Sequence, residues 1–270
     1  MASSRTESVE ADLAAVHAAG PWFYTFPLPG GGATDCRAPE STLHLHETRW
    51  RMVASTVRTE LGERLSGASV LDLGCHEGWF AARCIQELGV PRLLGVDVRE
   101  ASLEKARLVH RAMGLEGGEF VALDAEELDA ERTGVFDVCL CVGLIYHLEN
   151  PVRVLRRAAS ATGELILVET QVVDPIEGVT EWGKRAASRP YTGGFAIIDE
   201  SCRFDQSAEA GATPLALCPS EAAVAQVLRA LGFARVWRVA CPEDGHEQLA
   251  RGRRVIYAAS RRANERSAHV

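Results

Sequence analysis

Asp72-Leu73-Gly74-Cys75-His76-Glu77-Gly78 places two carboxylates, a thiol, an imidazole and two glycines in one short stretch of a 270-residue chain. Carboxylates accept hydrogen bonds from ammonium and hydroxyl groups, and glycine lets a ligand approach the main chain. Asp97 and Asp124 each close an apolar run further on, followed by Tyr146-His147 and Glu169. Acids of this kind can hold a cationic, hydroxylated ligand. A histidine can remove a proton near neutral pH.

The elements that must position them follow from the pattern. Val70 to Ala81 begins as a short apolar run, breaks at Gly74 and resumes as an amphipathic helix, so it reads as strand, tight turn and helix. The free N–H groups of such a helix face whatever lies over the turn. The dinucleotide fingerprint is G-x-G-x-x-G, but here Gly74 and Gly78 flank Cys75-His76-Glu77. A glutamate in that loop repels a pyrophosphate and suits a ligand carrying an ammonium, which points to S-adenosylmethionine (SAM). Asp72 is placed for the same ammonium. Asp97, with Val98 beside it, ends the second strand about 20 residues on, where an acid holds ribose hydroxyls. Asp124 beside Ala125 either takes the adenine amino group or caps the helix at Ala125-Glu126-Glu127-Leu128.

Composition sets the bounds. Hydrophobic residues make up 47% and charged residues 24%, as in ordinary globular proteins. The net charge of −8 gives no general support for binding nucleic acid. No apolar run reaches membrane-span length, and the N-terminus has no signal-peptide core. The eight cysteines lack framework spacing and read as reduced, which implies a cytoplasmic protein. Cys139-x-Cys141 reads as core packing, and no metal site is expected.

Strands at 69–73, 92–97, 118–122, 135–142 and 163–170 alternate with helices at 79–88, 101–113, near 125–131, and at 151–160. A helix at 220–231 and strands at 234–240 and 254–259 follow. Alternation implies a parallel sheet with right-handed crossovers. The last two strands, joined without a helix, imply an antiparallel hairpin at the edge. The expected fold is α/β and Rossmann-like: a seven-stranded, mostly parallel sheet with an antiparallel last strand, the class I methyltransferase architecture. Residues 1–66 form an N-terminal helical and lid segment, with a helix at 4–19 and another reaching about Leu65. Residues 67–260 form the SAM-binding domain with a substrate insertion at 171–218, and 261–270 a disordered tail.

Val142-Gly143-Leu144-Ile145-Tyr146-His147-Leu148-Glu149-Asn150-Pro151 and Gly163 to Thr170 resemble the class I methyltransferase group that contains the wobble-uridine tRNA carboxymethyltransferases. The resemblance spans roughly residues 49–172, with an echo at 219–233. It implies SAM-type binding, with Val142 and Gly143 at the cofactor. The tRNA enzymes hold a carboxylated SAM with lysines and a tryptophan. Arg49-Trp50 stands where they carry a lysine–tryptophan pair, which puts Trp50 at the cofactor, and the other basic contact has no match. Ordinary SAM and methyl transfer are therefore expected.

His147 is the candidate base, Tyr146 lines the transfer channel and Glu169 is a second base candidate. The alternatives are helix capping for His147, packing for Tyr146 and a purely structural Glu169. Trp22 and Tyr24, in the aromatic run Trp22 to Phe26, either wall the cofactor or pack the N-terminal helix. His44 and His46, two apart, face opposite ways or meet substrate. Trp182, Arg185 and Tyr191 in the insertion either recognise the acceptor or lie on a solvated meander. The expected activity is SAM-dependent methyl transfer to oxygen or nitrogen of a small molecule, by a monomer or homodimer. The alternatives are tRNA modification, which an acidic chain of this length disfavours, and a SAM-binding regulator.

Overall fold

A computed structural model describes residues 2–181, 189–200 and 211–263, with side chains from residue 9 onward. The chain opens with α1 (Ala2–Ala18) and α2 (Glu40–Leu61). The alternating region runs β1 (Ser69–Leu73), α3 (Trp79–Leu88), β2 (Arg92–Asp97), α4 (Glu100–Ala112), β3 (Gly118–Ala122), α5 (Ala130–Thr133), β4 (Phe136–Val142), α6 (Pro151–Ser160) and β5 (Thr162–Gln171). Two short antiparallel pairs follow: β6 (Glu177–Thr180) with β7 (Arg189–Thr192), and β8 (Phe195–Asp199) with β9 (Leu215–Pro219). The chain closes with α7 (Glu221–Ala230), β10 (Arg235–Arg238), α8 (Glu247–Ala250) and β11 (Arg254–Ser260).

Among the described residues, seven strands form one sheet in the order β10-β11-β5-β4-β1-β2-β3. β11 lies between β5 and β10 and is antiparallel to both. The other neighbours pair in parallel. Strand alternation distributes the core over two faces. Val70, Leu93, Val138, Leu140, Leu165 and Leu167 pack under α2, α3 and α4 with Trp50 and Phe80. Leu71, Leu73, Val96, Cys139, Cys141, Ile166 and Val168 pack under α6 and α7 with Leu155 and Leu228. Both cysteines of the Cys139-x-Cys141 pair are core residues, buried completely.

Three expectations change. The connection from β10 to β11 carries α8, started by His246, whose ring accepts the Gln248 N–H. α2 stops at Leu61 because Gly62 takes φ +56, and a tight turn, Gly62–Gly67, follows. Residues 261 and 262, expected in a disordered tail, are tied to the domain: Arg261 donates to the carbonyl of Thr162 at 2.8 Å, and Arg262 pairs with Glu164 at 3.2 Å. Residues 264–270 lie outside the described residues. Among those described, no helix is long and apolar enough to cross a membrane, and no cluster of His, Cys, Asp and Glu has the makings of a metal site.

The strand order reverses between β1 and β4. An open α/β sheet leaves a crevice at such a reversal, beyond the carboxyl ends of its strands. That is where Gly74, Asp97 and Gly143 lie.

Candidate active site

A cavity of about 300 Å³ fills this crevice. Its first wall is the turn after β1. Gly74 takes φ +71, and the N–H groups of Gly74 and Cys75 both donate to the Val96 carbonyl, at 2.8 and 3.0 Å. A Cβ on Gly74 would lie 3.1 Å from Leu144, so glycine lets the turns after β1 and β4 close on each other. His76 takes φ +51, a conformation uncommon outside glycine, and its N–H donates to Asp97 Oδ2 at 2.9 Å. Asp97 Oδ1 accepts the Arg99 N–H at 2.9 Å. Each Asp97 oxygen thus keeps accepting capacity, and the residue lines the cavity.

Val98, Asp124, Ala125, Val142 and Gly143 line the cavity with it. Asp124 also caps the turn at Ala125, accepting the Glu126 N–H at 2.8 Å, as its capping reading expects. Asp72 lies behind the wall, 2% exposed, and its Oδ2 has no hydrogen-bond partner. Burial, and secondarily Asp97, push its carboxyl up to about 7.

The second wall is aromatic. Phe23, Tyr24 and His46 line the cavity, with the His46 ring 4.5 Å from Tyr24 and 5.3 Å from Phe23. Burial, then the Arg49 charge, lower the His46 imidazole to about 3, so it is neutral at physiological pH. Burial likewise raises the Tyr24 phenol.

Beneath the cavity sits a buried charge cluster. Glu169, fully buried, lies 3.1 Å from Arg49 Nε and 3.2 Å from Arg254. Arg254 also donates to the Tyr146 hydroxyl at 3.0 Å and, through Nε, to Gln248 of α8 at 2.7 Å. Burial works against the Arg49 charge, yet the adjacent Glu169 carboxylate holds its guanidinium above the ordinary value. Both arginines line the cavity; Glu169 does not.

His147 lines the cavity beside Tyr146, with ring centroids 4.1 Å apart. Its Nδ1 lies 2.8 Å from Glu200 Oε1, and Glu200 Oε2 accepts the Gly211 N–H at 2.6 Å.

Several sequence assignments are corrected by this geometry. Glu77 is not available to a cofactor ammonium: its carboxylate is buried and taken up by the N–H groups of Phe23 and Tyr24 and by Lys105 at 3.0 Å. Trp50 faces the core, where its indole N–H donates to Glu87 at 2.8 Å. Trp22 packs the N-terminal helix, donating to the Val16 carbonyl at 3.0 Å. Cys75 and Gly78 serve packing. Cys75 is buried off the cavity wall, and Gly78, at φ +75, leaves only 3.0 Å for a Cβ against Ala106 and Phe120. Glu169 is committed to the two arginines and does not reach the cavity as a base. His44 bonds the Asp244 carbonyl at 3.0 Å, away from the cavity. Tyr191 is 43% exposed on β7 and also off the wall. Trp182 and Arg185 lie outside the described residues.

Arg49, Arg254 and Glu200 were not among the expected site residues. Arg49 carried a legible signal: it interrupts the i, i+4 apolar stripe Leu45, Val53, Val57. Arg254 opens an apolar strand, and a charge there has to be paired. Nothing local marks Glu200.

Residues 70–163 match the family model of a methyltransferase domain. The fold is that of the class I methyltransferases. The ubiquinone biosynthesis O-methyltransferase of Bordetella pertussis (strain Tohama I) is 36% identical over 104 residues, which cover 37% of this chain and 41% of that protein. The chain therefore spans less than half the length of the curated relatives it matches. The solved N-terminal domain of EvdMO1 with SAH bound has a TM-score of 0.68 at 19% identity, over 96% of this chain and 97% of that one. Magnesium protoporphyrin IX methyltransferase from Synechocystis PCC 6803 with bound SAM has a TM-score of 0.53 at 16% identity, over 84% and 86%. Within the methyltransferase domain lie the first turn, Asp97, Asp124 and the Tyr146-His147 turn. Arg49, Glu169, Glu200 and Arg254 come from outside it.

Proposed function

We propose that this protein transfers a methyl group from SAM to an oxygen or nitrogen of a small-molecule acceptor. The observation that carries this reading is one cavity lined by the acids Asp97 and Asp124 and also by Tyr146-His147. The O-methyltransferase relatives and the SAM- and SAH-bound structural neighbours support it.

The residues fit the cofactor. Asp97 offers both oxygens to a ribose diol. Asp124 and Ala125, on the same cavity wall, are the groups available to an adenine edge. Asp72 Oδ2, buried without a partner, suits an ammonium donor, directly or through water. When bound, SAM supplies an activated methyl group on a sulfonium. The protein's own work is then alignment, water exclusion and proton removal. Phe23, Tyr24 and His46 shield the cavity, Tyr146 is fixed by Arg254, and His147 receives a proton from the acceptor.

Calorimetry with SAM, carboxylated SAM and NAD tests the reading. Micromolar binding of SAM, lost in Asp97→Ala, is expected; binding of NAD alone would refute it.

A second reading, transfer from a carboxylated SAM as in the tRNA-modifying group, is favoured by one observation: two buried arginines face a single glutamate at the cavity, leaving a net positive charge. Tighter binding of the carboxylated donor in the same calorimetry would select it.

A further inference from the structure

Glu200 and His147 form a built pair, and the insertion supplies its carboxylate. Glu200 follows β8, its side chain 7% exposed, with its N–H donating to the Pro214 carbonyl at 2.8 Å. Its two oxygens are both assigned, Oε1 to His147 Nδ1 and Oε2 to the Gly211 N–H. Gly211 is a glycine for a steric reason: a Cβ there would run into the His147 carbonyl oxygen. β9 fixes the same region from the other side, since the Leu217 N–H donates to the Leu148 carbonyl at 2.8 Å. Insertion and catalytic turn are therefore locked together at three points.

We propose that Glu200 is the positioning residue for His147 and that the pair serves an acceptor hydroxyl, so that the atom methylated is oxygen. The inference rests on the methyltransferase reading above. An ionised carboxylate only accepts hydrogen bonds, so the neutral imidazole carries its hydrogen on Nδ1 and its lone pair on Nε2. A neutral amine attacks with a lone pair it already has. A hydroxyl is a weak nucleophile until its proton departs, and that is the service a carboxylate-backed imidazole performs. As the acceptor oxygen bonds the methyl carbon, the carbon–sulfur bond breaks and its electron pair returns to sulfur, which loses its positive charge. The hydroxyl proton passes to Nε2. The resulting imidazolium is balanced by Glu200 and returns the proton to solvent. Among the described residues, the titratable groups around His147 include Glu200 from the insertion, Tyr146 with Arg254 on its hydroxyl, and Glu149 on the same cavity wall.

The test begins with the ring itself. In protein labelled with ¹⁵N-histidine, His147 should show hydrogen on Nδ1 and a bare Nε2 when neutral. Its titration midpoint should fall by roughly one pH unit or more in Glu200→Gln and stay near wild type in Glu200→Asp. A neutral ring protonated on Nε2, or an unchanged midpoint in Glu200→Gln, would overturn the positioning role whatever the cofactor is. The second arm incubates the protein with methyl-labelled SAM and paired phenols and anilines. Label is expected on oxygen. kcat/KM should drop about 100-fold in His147→Gln and about tenfold in Glu200→Gln, where the acid limb of the pH–rate profile should move to lower pH, returning towards wild type in Glu200→Asp, with SAM affinity unchanged. Label found only on nitrogen would overturn the choice of acceptor atom. Failure of SAM to bind at all would refute the cofactor reading and leave the ring measurement standing.

Discussion

Glu77 Oε2 accepts the backbone N–H of Phe23 at 2.9 Å, across more than fifty residues of sequence. The same oxygen takes the Tyr24 N–H at 3.2 Å, while Oε1 meets Lys105. One buried carboxylate thereby hangs the aromatic wall on the turn after β1. The acid that sequence reading gave to the cofactor instead holds residues that line the cavity.

Glu77→Gln should therefore loosen the wall. The amide still accepts one N–H, but the charge-assisted bonds are lost and Lys105 is left without its carboxylate. A loss of about 2–3 kcal/mol is expected from urea unfolding. SAM affinity should fall with it, because Phe23 and Tyr24 line the cavity. An unchanged urea midpoint would mean that ring packing alone holds the segment.

Asp72 makes a prediction of unusual sign. Its carboxyl is raised from 3.8 to about 7, chiefly by burial and next by Asp97. Between these values the folded protein keeps a proton that the unfolded chain has released. Stability contributed by this group is thus present below about pH 4 and is lost as pH rises towards 7. Asp72→Asn should remove that slope and make the ligand-free protein more stable at pH 8, by on the order of 4 kcal/mol if the full shift is realised. The same change should weaken SAM binding about tenfold or more. Thermal melts across pH 4 to 8, with calorimetry at pH 8, separate the two effects. A slope equal to that of the wild type would refute the assignment.

His46 acts in the opposite direction. Its imidazole is lowered from 6.5 to about 3, mainly by burial and then by Arg49. The unfolded chain binds a proton below pH 6.5 that the folded ring refuses, so stability falls as pH drops from 6.5 towards 3. His46→Leu keeps an apolar side chain among Phe23, Tyr24 and Trp79 and should flatten the acid limb. Comparing melting temperatures of the variant and wild type at pH 7 and pH 5 reads this directly. An equal fall in both would show that other groups govern acid unfolding.

The arginine cluster predicts an asymmetry. Glu169→Gln leaves two buried guanidiniums without a counter-charge and should cost about 3–5 kcal/mol. Arg49→Met leaves a one-to-one pair of Arg254 with Glu169 and should cost clearly less. Chemical denaturation of the two variants tests the order. A reversal would place the protein's electrostatic balance elsewhere than in this cluster.

Much of this was legible from local pattern. The apolar runs that became β1 to β5 are bounded by glycines and acids, and their alternation with helices fixes a parallel sheet. The chain reversal at β10 and β11 was visible too, although α8 between them was not: a four-residue helix has too little periodicity to read. The place of Asp97 on the cavity wall was readable because a residue that ends the second strand lies at the carboxyl edge of the sheet. Glu77 was misread. Its type fits an ammonium, and nothing nearby in sequence announces that two N–H groups and a lysine claim it first. Trp50 was misjudged because a helix position does not reveal which neighbour its buried face meets, whereas His44 and His46 face opposite ways, as one of their two readings had it.

The sequence by itself determined the sheet, the switch point and the acids at its edge, because strand period, glycine conformation and apolar runs act over a few residues. Only the tertiary structure decided which charges meet. Arg49, Glu169 and Arg254 come from α2, β5 and β11, and His147 is joined by Glu200 from an insertion fifty-three residues away. Buried charges take whatever partner folding brings within about 3 Å, and that proximity is a property of the packed chain and not of any segment of it.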